Sequence, residues 1–265
     1  MANPKNLKPY LNTAGGHKEY LFIGAERDEI DEERPSTKKK IYKYIYHPEK
    51  SEIKTYENLI KTPLKEIICD YYGSTEIDRK WYIILGNLED EFENACDLKI
   101  LDLKIGVHRV KDRELNKWNF KISGYIMNGG NVHKPESDSE VILRILREFL
   151  SNEKVRSGRC SNESLTLTDT DTDTEINKVI LNKLIEKVKR IASLLKDNPM
   201  GNNFYESSLL IMHNSHKVVV KLIDFTHFGS GSFFQKYPDT ASVSNPMQGI
   251  FDFIEVLEDL EGKAT

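Results

Sequence analysis

The change of hydrophobic period along the chain constrains its fold more than any other feature. Runs dense in β-branched and aromatic side chains come first, and residues 19–23, 41–46 and 81–85 read as strands. A short helix over 51–59 places Ile53, Tyr56 and Leu59 or Ile60 on one side. Farther on, 98–104 and 120–127 alternate as strands, and 209–212 with 217–225 form a hairpin around His213-Asn-Ser-His216. Helical spacing takes over between them. Ser137-Asp-Ser-Glu140 has capping-box spacing and opens a helix that turns Val141, Ile142, Ile145, Leu146 and Phe149 inward. Thr172-Asp-Thr-Glu175 repeats that signature before a longer helix, from 176 to about 195, which Asp197-Asn-Pro199 ends. A last amphipathic helix covers 249–260. The chain reads as α+β.

Its 265 residues fit one large domain or two small lobes. No apolar run approaches the roughly 18–20 residues of a membrane span, and the first residues lack the apolar stretch of a signal peptide. Cys69, Cys96 and Cys160 are odd in number and share no CxxC spacing, which argues against a disulfide framework or a zinc ribbon. An intracellular protein, cytoplasmic or nuclear and monomeric, is the expectation. The net charge of −4 denies a global basic footprint, so no nucleic-acid partner is expected. A local basic pocket for an anionic ligand is compatible with that charge. Residues 166–174, largely alternating Thr and Asp, lack the central glycine and bidentate glutamate of an EF-hand. They read as part of a disordered acidic surface loop over 152–174, and the charged stretch 26–40 reads as a second mobile loop.

Three segments carry candidate chemistry. In Leu101-Asp-Leu-Lys-Ile-Gly106, strand alternation projects Asp102 and Lys104 from one face. Ser207-Ser-Leu-Leu210 leads into a strand, and Leu222-Ile-Asp-Phe225 ends one on an acid, with His227 just beyond. An acid at the end of a buried strand is costly unless it meets a cation or a metal. Taken singly, each has a plainer reading, as a turn residue or a surface ion pair.

Taken in order, they resemble the inositol polyphosphate kinase family: the multikinases, trisphosphate 3-kinases and hexakisphosphate kinases. Thr13-Ala-Gly-Gly-His17 is similar to the family's N-terminal Val-Ala-Gly-His stretch. Tyr42-Lys43 resembles its ATP-contacting strand, and Glu52 with Tyr56 its Glu-x-x-x-Tyr helix. Asp70-Tyr-Tyr-Gly73, Phe120-Lys-Ile-Ser-Gly124 and Phe204-Tyr-Glu-Ser-Ser-Leu-Leu210 follow in sequence. Departures are Leu98 in place of a proline, the hinge Leu85-Gly86-Asn87, and a short stretch between Gly106 and Phe120 where larger relatives hold substrate-gripping helices.

The resemblance implies a two-lobed protein-kinase-like or ATP-grasp-like fold. A small antiparallel-sheet N-lobe spans residues 1–88 and a larger mixed C-lobe spans 89–265. ATP would lie in the cleft, with the Gly86 carbonyl and Leu88 amide at the adenine, Lys43 on the phosphates and Glu52 holding Lys43. Asp102 would meet the ribose or the acceptor, Lys104 the transferred phosphoryl, Asp224 a magnesium ion, and Ser208 the region between metal and phosphates. His227 would touch the acceptor. Arg109, Lys111, Arg113 and Lys121, in a basic run with His108 and Lys117, would clamp the inositol polyphosphate, with Lys134 adding to it.

The implied activity is ATP- and Mg2+-dependent phosphorylation of a soluble inositol polyphosphate, most like a multikinase acting on tris- or tetrakisphosphates. A hexakisphosphate kinase making pyrophosphates is the near rival, and an idle inositide-binding scaffold the rival from another class. A scaffold needs none of Lys43, Asp102, Lys104 and Asp224. No His-Arg-Asp-x-x-x-x-Asn or Asp-Phe-Gly motif supports a protein kinase, and no Walker loop a P-loop enzyme.

Overall fold

The computed structural model describes residues 7–10, 14, 20–25, 39–46, 52–93, 97–107, 117–135, 138–152, 175–228 and 244–263. Two antiparallel sheets organise it. The first comprises β1 (Lys8–Pro9), β2 (Leu21–Ala25), β3 (Lys39–Ile45), β4 (Tyr71–Ile77) and β5 (Lys80–Gly86), in the order β1-β2-β3-β5-β4. Helix α1 (Glu52–Leu59) follows β3 and buries Ile53, Tyr56 and Leu59, as its spacing predicts.

Strand β4 was not legible in the sequence. Its side chains are at best half-buried, so no apolar alternation marks it. A two-residue turn joins it to β5, with Asp78 at φ 49° and Arg79 at φ 61°. Positive φ at both positions is the geometry that matches strand twist in tight hairpins, here without the usual glycine.

The second sheet comprises β6 (Lys99–Ile105), β7 (Phe120–Ile126), β8 (Ser208–His213) and β9 (Val218–Ile223), in the order β7-β6-β8-β9. The hairpin is tightened by Asn214, whose side-chain oxygen accepts from the amides of His216 (3.0 Å) and Lys217 (2.8 Å). His213 is not in the turn. It ends β8, buried, with Nε2 2.7 Å from the Phe149 carbonyl. Burial lowers its pKa to about 4.

Helices α2 (Ser139–Phe149), α3 (Lys178–Lys196) and α4 (Pro246–Lys263) complete this lobe. α3 packs on β9 and α4, and α4 packs on β6 and β7. Phe253 of α4 meets Phe120 edge-on at 5.4 Å between ring centres. Among the described residues, no helix is long and apolar enough to cross a membrane.

Both helix starts differ from the sequence expectation. Asp138 rather than Ser137 caps α2, accepting from the amides of Glu140 (2.7 Å) and Val141 (3.3 Å). Asn177 caps α3, accepting from the Ile180 amide at 3.1 Å. Residues 175–177 cannot be helical because they pair with the end of α2. Asn152 donates to the Glu175 carbonyl at 3.1 Å and Asn177 to the Leu150 carbonyl at 2.8 Å. A ladder hydrogen bond made elsewhere overrides a local capping signal. Of the expected loops over 26–40 and 152–174, Lys39 and Lys40 belong instead to β3, Asn152 pairs with Glu175, and 26–38 and 153–174 lie outside the described residues.

The two sheets are tied together through several segments, three of which lie outside the site itself. Beyond β5, the chain enters a 3-10 turn, Leu88–Glu91, capped by Asn87. A second 3-10 turn, Pro63–Glu66, docks on the C-terminal lobe: Leu222 donates to the Ile67 carbonyl at 2.7 Å, and Arg190 makes a two-point pair with Glu66 at 3.0 and 3.1 Å. The third contact is Ala14 on Gly124. A Cβ at Gly124 would lie 1.6 Å from the Ala14 carbonyl oxygen, so only glycine admits the N-terminal chain there.

Candidate active site

Register decides which side chains share the cleft face of the second sheet. Lys104 lies opposite Ser208 on β8 and opposite Lys121 on β7, and Ser208 lies opposite Ile223. Asp102, two residues before, lies opposite Leu210 and Gly124. Residues directly opposite share a face, so Lys121, Lys104 and Ser208 form one row and Gly124 and Asp102 the next. Lys121 and Gly124 share that face only because a register shift, a β-bulge, falls between their rows. His133 bridges Tyr125, so Lys134, one residue on, runs alongside Gly124 with its side chain exposed.

Asp102 is 5% exposed and its Oδ1 has no hydrogen-bond partner. Burial pushes its carboxyl up to about 6, and the charge of Asp224 adds to the shift. The Ser208 hydroxyl, fully buried on the same face, sits against the Asp102 carboxyl and works against that rise. Buried polar atoms are nearly always satisfied, so the unpaired Asp102 oxygen marks where a polar ligand belongs.

Asp224 follows β9 at φ 69°, a left-handed backbone that Asp tolerates better than most side chains. It meets Lys43 across the cleft. The Lys43 Nζ donates to Glu52 Oε1 at 2.8 Å and to Asp224 Oδ1. Burial alone would lower the lysine, but Asp224 and Glu52 outweigh it and hold the ammonium above its ordinary value. Burial would likewise raise Asp224, but Lys43, Lys104 and His227 outweigh it and bring the carboxyl down to about 2. Glu52, 4% exposed, serves both lobes. Its Oε1 also accepts from the Phe225 amide at 3.2 Å, and its Oε2 from the Thr226 hydroxyl at 3.4 Å. Tyr56, one turn along α1, packs on Phe225 at 4.8 Å.

His227 Nε2 stands 3.4 Å from Glu206 Oε2. Gly86 ends β5, its amide donating to the Asp70 carbonyl at 2.9 Å. Leu88 opens the 3-10 turn, a position whose amide the turn itself does not use.

The structure thus gathers Lys43, Glu52, Asp102, Lys104, Ser208, Asp224 and His227, with Lys121 and Lys134 flanking. Arg109, Lys111 and Arg113 lie outside the described residues. Glu206 and Thr226 were missed. Thr226 carried no signal, whereas Glu206 is an acid inside a run of aromatic, apolar and hydroxyl residues.

Among the described residues, no cluster of three or more His, Cys, Asp or Glu side chains forms a self-contained metal cage. One or two carboxylates completed by phosphate oxygens suffice for magnesium, and the Asp224 carboxylate, held ionised by Lys43, Lys104 and His227, fits that donor set.

Two antiparallel sheets joined by the Lys43–Glu52–Asp224 ion pairs form a kinase-like α+β fold. A model of the family described as inositol polyphosphate kinase matches residues 109–258, more than half of the chain, and the chain belongs to that family. It is an inositol phosphate kinase enzyme by that membership. The crystal structure of the inositol phosphate multikinase Ipk2 from S. cerevisiae, in complex with ADP and Mn2+, is similar in fold. The TM-score is 0.53 at 14% sequence identity, covering 83% of this chain and 98% of that one. Comparison with curated protein sequences gives no match.

Proposed function

We propose that this enzyme transfers the γ-phosphoryl group of ATP to a free hydroxyl of a soluble inositol tris- or tetrakisphosphate, with Mg2+. The observation that carries this reading is the placement of Asp102 and Lys104 on one sheet face beneath the Lys43–Asp224 contact. The neighbour that binds ADP and Mn2+ supports the nucleotide and the divalent ion.

In this reading the Gly86 carbonyl and Leu88 amide recognise adenine through backbone. Lys43 exchanges Asp224 for the nucleotide phosphates and stays oriented by Glu52. Asp224 would hold the metal, with Ser208 beside it, and the ion would supply charge neutralisation at the phosphates, which is most of what phosphoryl transfer asks of a site. Asp102, with its pKa near neutrality, accepts the hydrogen bond of the acceptor hydroxyl and takes its proton. The acceptor oxygen bonds to the γ-phosphorus as the bond to the ADP oxygen breaks. Lys104 stabilises the charge that builds on the transferred group. Lys121, Lys134, Arg109, Lys111 and Arg113 hold the other phosphates of the substrate, and His227 faces the acceptor.

The test is the purified protein with ATP, magnesium and a panel of inositol phosphates, its products resolved by anion-exchange chromatography. New, more highly phosphorylated species from tris- or tetrakisphosphates are expected. Turnover of hexakisphosphate alone, giving pyrophosphates, would favour the rival kinase, and no transfer at all the scaffold.

A further inference from the structure

Glu206 is an acid in a site built for a polyanion. Its position is fixed by backbone on two sides. Its amide donates to the Gly106 carbonyl at 3.2 Å, and the Ser207 carbonyl accepts from Ile105 at 2.9 Å, so the residue is pinned to the end of the strand that carries Lys104. It does so at φ 51°, a conformation that side-chain-bearing residues seldom adopt. The chain bearing His227 is pinned to the same segment. Phe204 bridges Phe228, and the Phe204 ring packs on Phe225 at 5.6 Å and on Phe228 at 5.0 Å. The two segments together bring the Glu206 carboxylate to 3.4 Å from the His227 imidazole, with the side chains 21% and 24% exposed.

A carboxylate there weakens binding of any phosphate placed against His227, because like charges repel strongly where water is partly excluded. Such a penalty is useful when it rejects a wrong ligand. Lys104 and Lys121 already supply positive charge on the sheet face. We propose that Glu206 is a positioning residue that holds His227 toward the acceptor, and that the pair makes this corner of the site admit a free hydroxyl and exclude a phosphate group. The proposal rests on the reading of His227 as an acceptor contact. It separates an enzyme that phosphorylates inositol hydroxyls from one that builds pyrophosphates, whose acceptor is itself a phosphate.

The experiment compares kcat/KM for inositol trisphosphate and inositol hexakisphosphate in wild type, E206A, E206Q, H227A and the E206A/H227A double variant. E206A is expected to lower the preference for the trisphosphate about tenfold, a coupling of the size seen between contacting charged groups. E206Q keeps shape and loses charge, and is expected to lower the preference too while keeping the trisphosphate KM near wild type. The KM for ATP stays unchanged in both. In the H227A background, the E206A change is expected to shift the preference less than it does with His227 present, because only the direct repulsion is then relieved. An unaltered preference in E206A and E206Q, or an equally large shift without His227, overturns the proposal. Transfer by wild type to neither acceptor overturns the inositol phosphate reading itself, and this inference with it.

Discussion

Lys43 of the first sheet is hydrogen bonded to Asp224 of the second, 181 positions farther along the chain. The ammonium and the carboxylate neutralise each other, and Glu52 holds the same lysine from its other side.

Asp224→Asn tests the metal role. Asn tolerates the left-handed backbone at this position and keeps the side-chain shape, so the fold survives. Transfer is expected to fall by at least about 100-fold, as removal of a key charge in the transition state does. Turnover measured across a magnesium titration checks it, and wild-type activity would remove Asp224 from the mechanism.

Glu52→Ala leaves the half-buried Lys43 with one fewer partner and frees the Phe225 amide. Loss of one member of a buried charge cluster is expected to cost about 3 kcal/mol in urea unfolding, and to raise the KM for ATP. An unchanged unfolding midpoint would mean that Glu52 does not join the lobes.

Lys104→Ala is expected to lower kcat far more than it weakens ATP binding, because the charge that Lys104 meets is greatest in the transition state. Steady-state kinetics with a separate nucleotide-binding measurement decides between the two. A raised KM for ATP at constant kcat would assign Lys104 to ground-state binding.

Asp102 sets a pH dependence of stability. Its folded-state pKa of about 6 lies above the ordinary carboxylate value, so the folded protein binds the extra proton and stability declines as pH rises from about 4 to 6. Asp102→Asn is expected to be more stable than wild type above pH 6, by on the order of 2–3 kcal/mol without nucleotide, and to lose that advantage below about pH 4. Asp224 has the opposite sign: its pKa is held down at about 2, so its contribution is present above about pH 4 and disappears toward pH 2. Urea unfolding of wild type and variant across this range would reveal a parallel offset if Asp102 does not titrate.

Gly124→Ala drives a methyl group into the Ala14 carbonyl, which is backbone and cannot step aside alone. A loss of about 1–3 kcal/mol is expected, with faster amide exchange around Ala14. Unchanged exchange there would show that the N-terminal contact does not brace the lobes.

Much of the architecture was legible because it is written in short-range pattern. The apolar, β-branched and aromatic runs of β3, β5, β6, β8 and β9 and the inward stripes of α1 and α2 each depend on neighbours within a few residues. The motif order also pointed to Lys43, Asp102, Lys104 and Asp224 as one site. Strand β4 escaped because an edge strand that buries little carries no such pattern. The start of α3 escaped because pairing of residues 175–177 with the end of α2 outweighs capping chemistry.

What the amino-acid order determined by itself was therefore the list of elements and the chemical types they present. Tertiary structure alone decided who meets whom. A bulge between Asp102 and Leu103 brings Lys121 onto the face of Lys104, two phenylalanine contacts bring Glu206 to His227, and the approach of two sheets brings Lys43 to Asp224. Periodicity is a local property of the chain. Register and inter-lobe contact are settled by the packing of the entire core, where a shift of one residue turns every side chain to the opposite face.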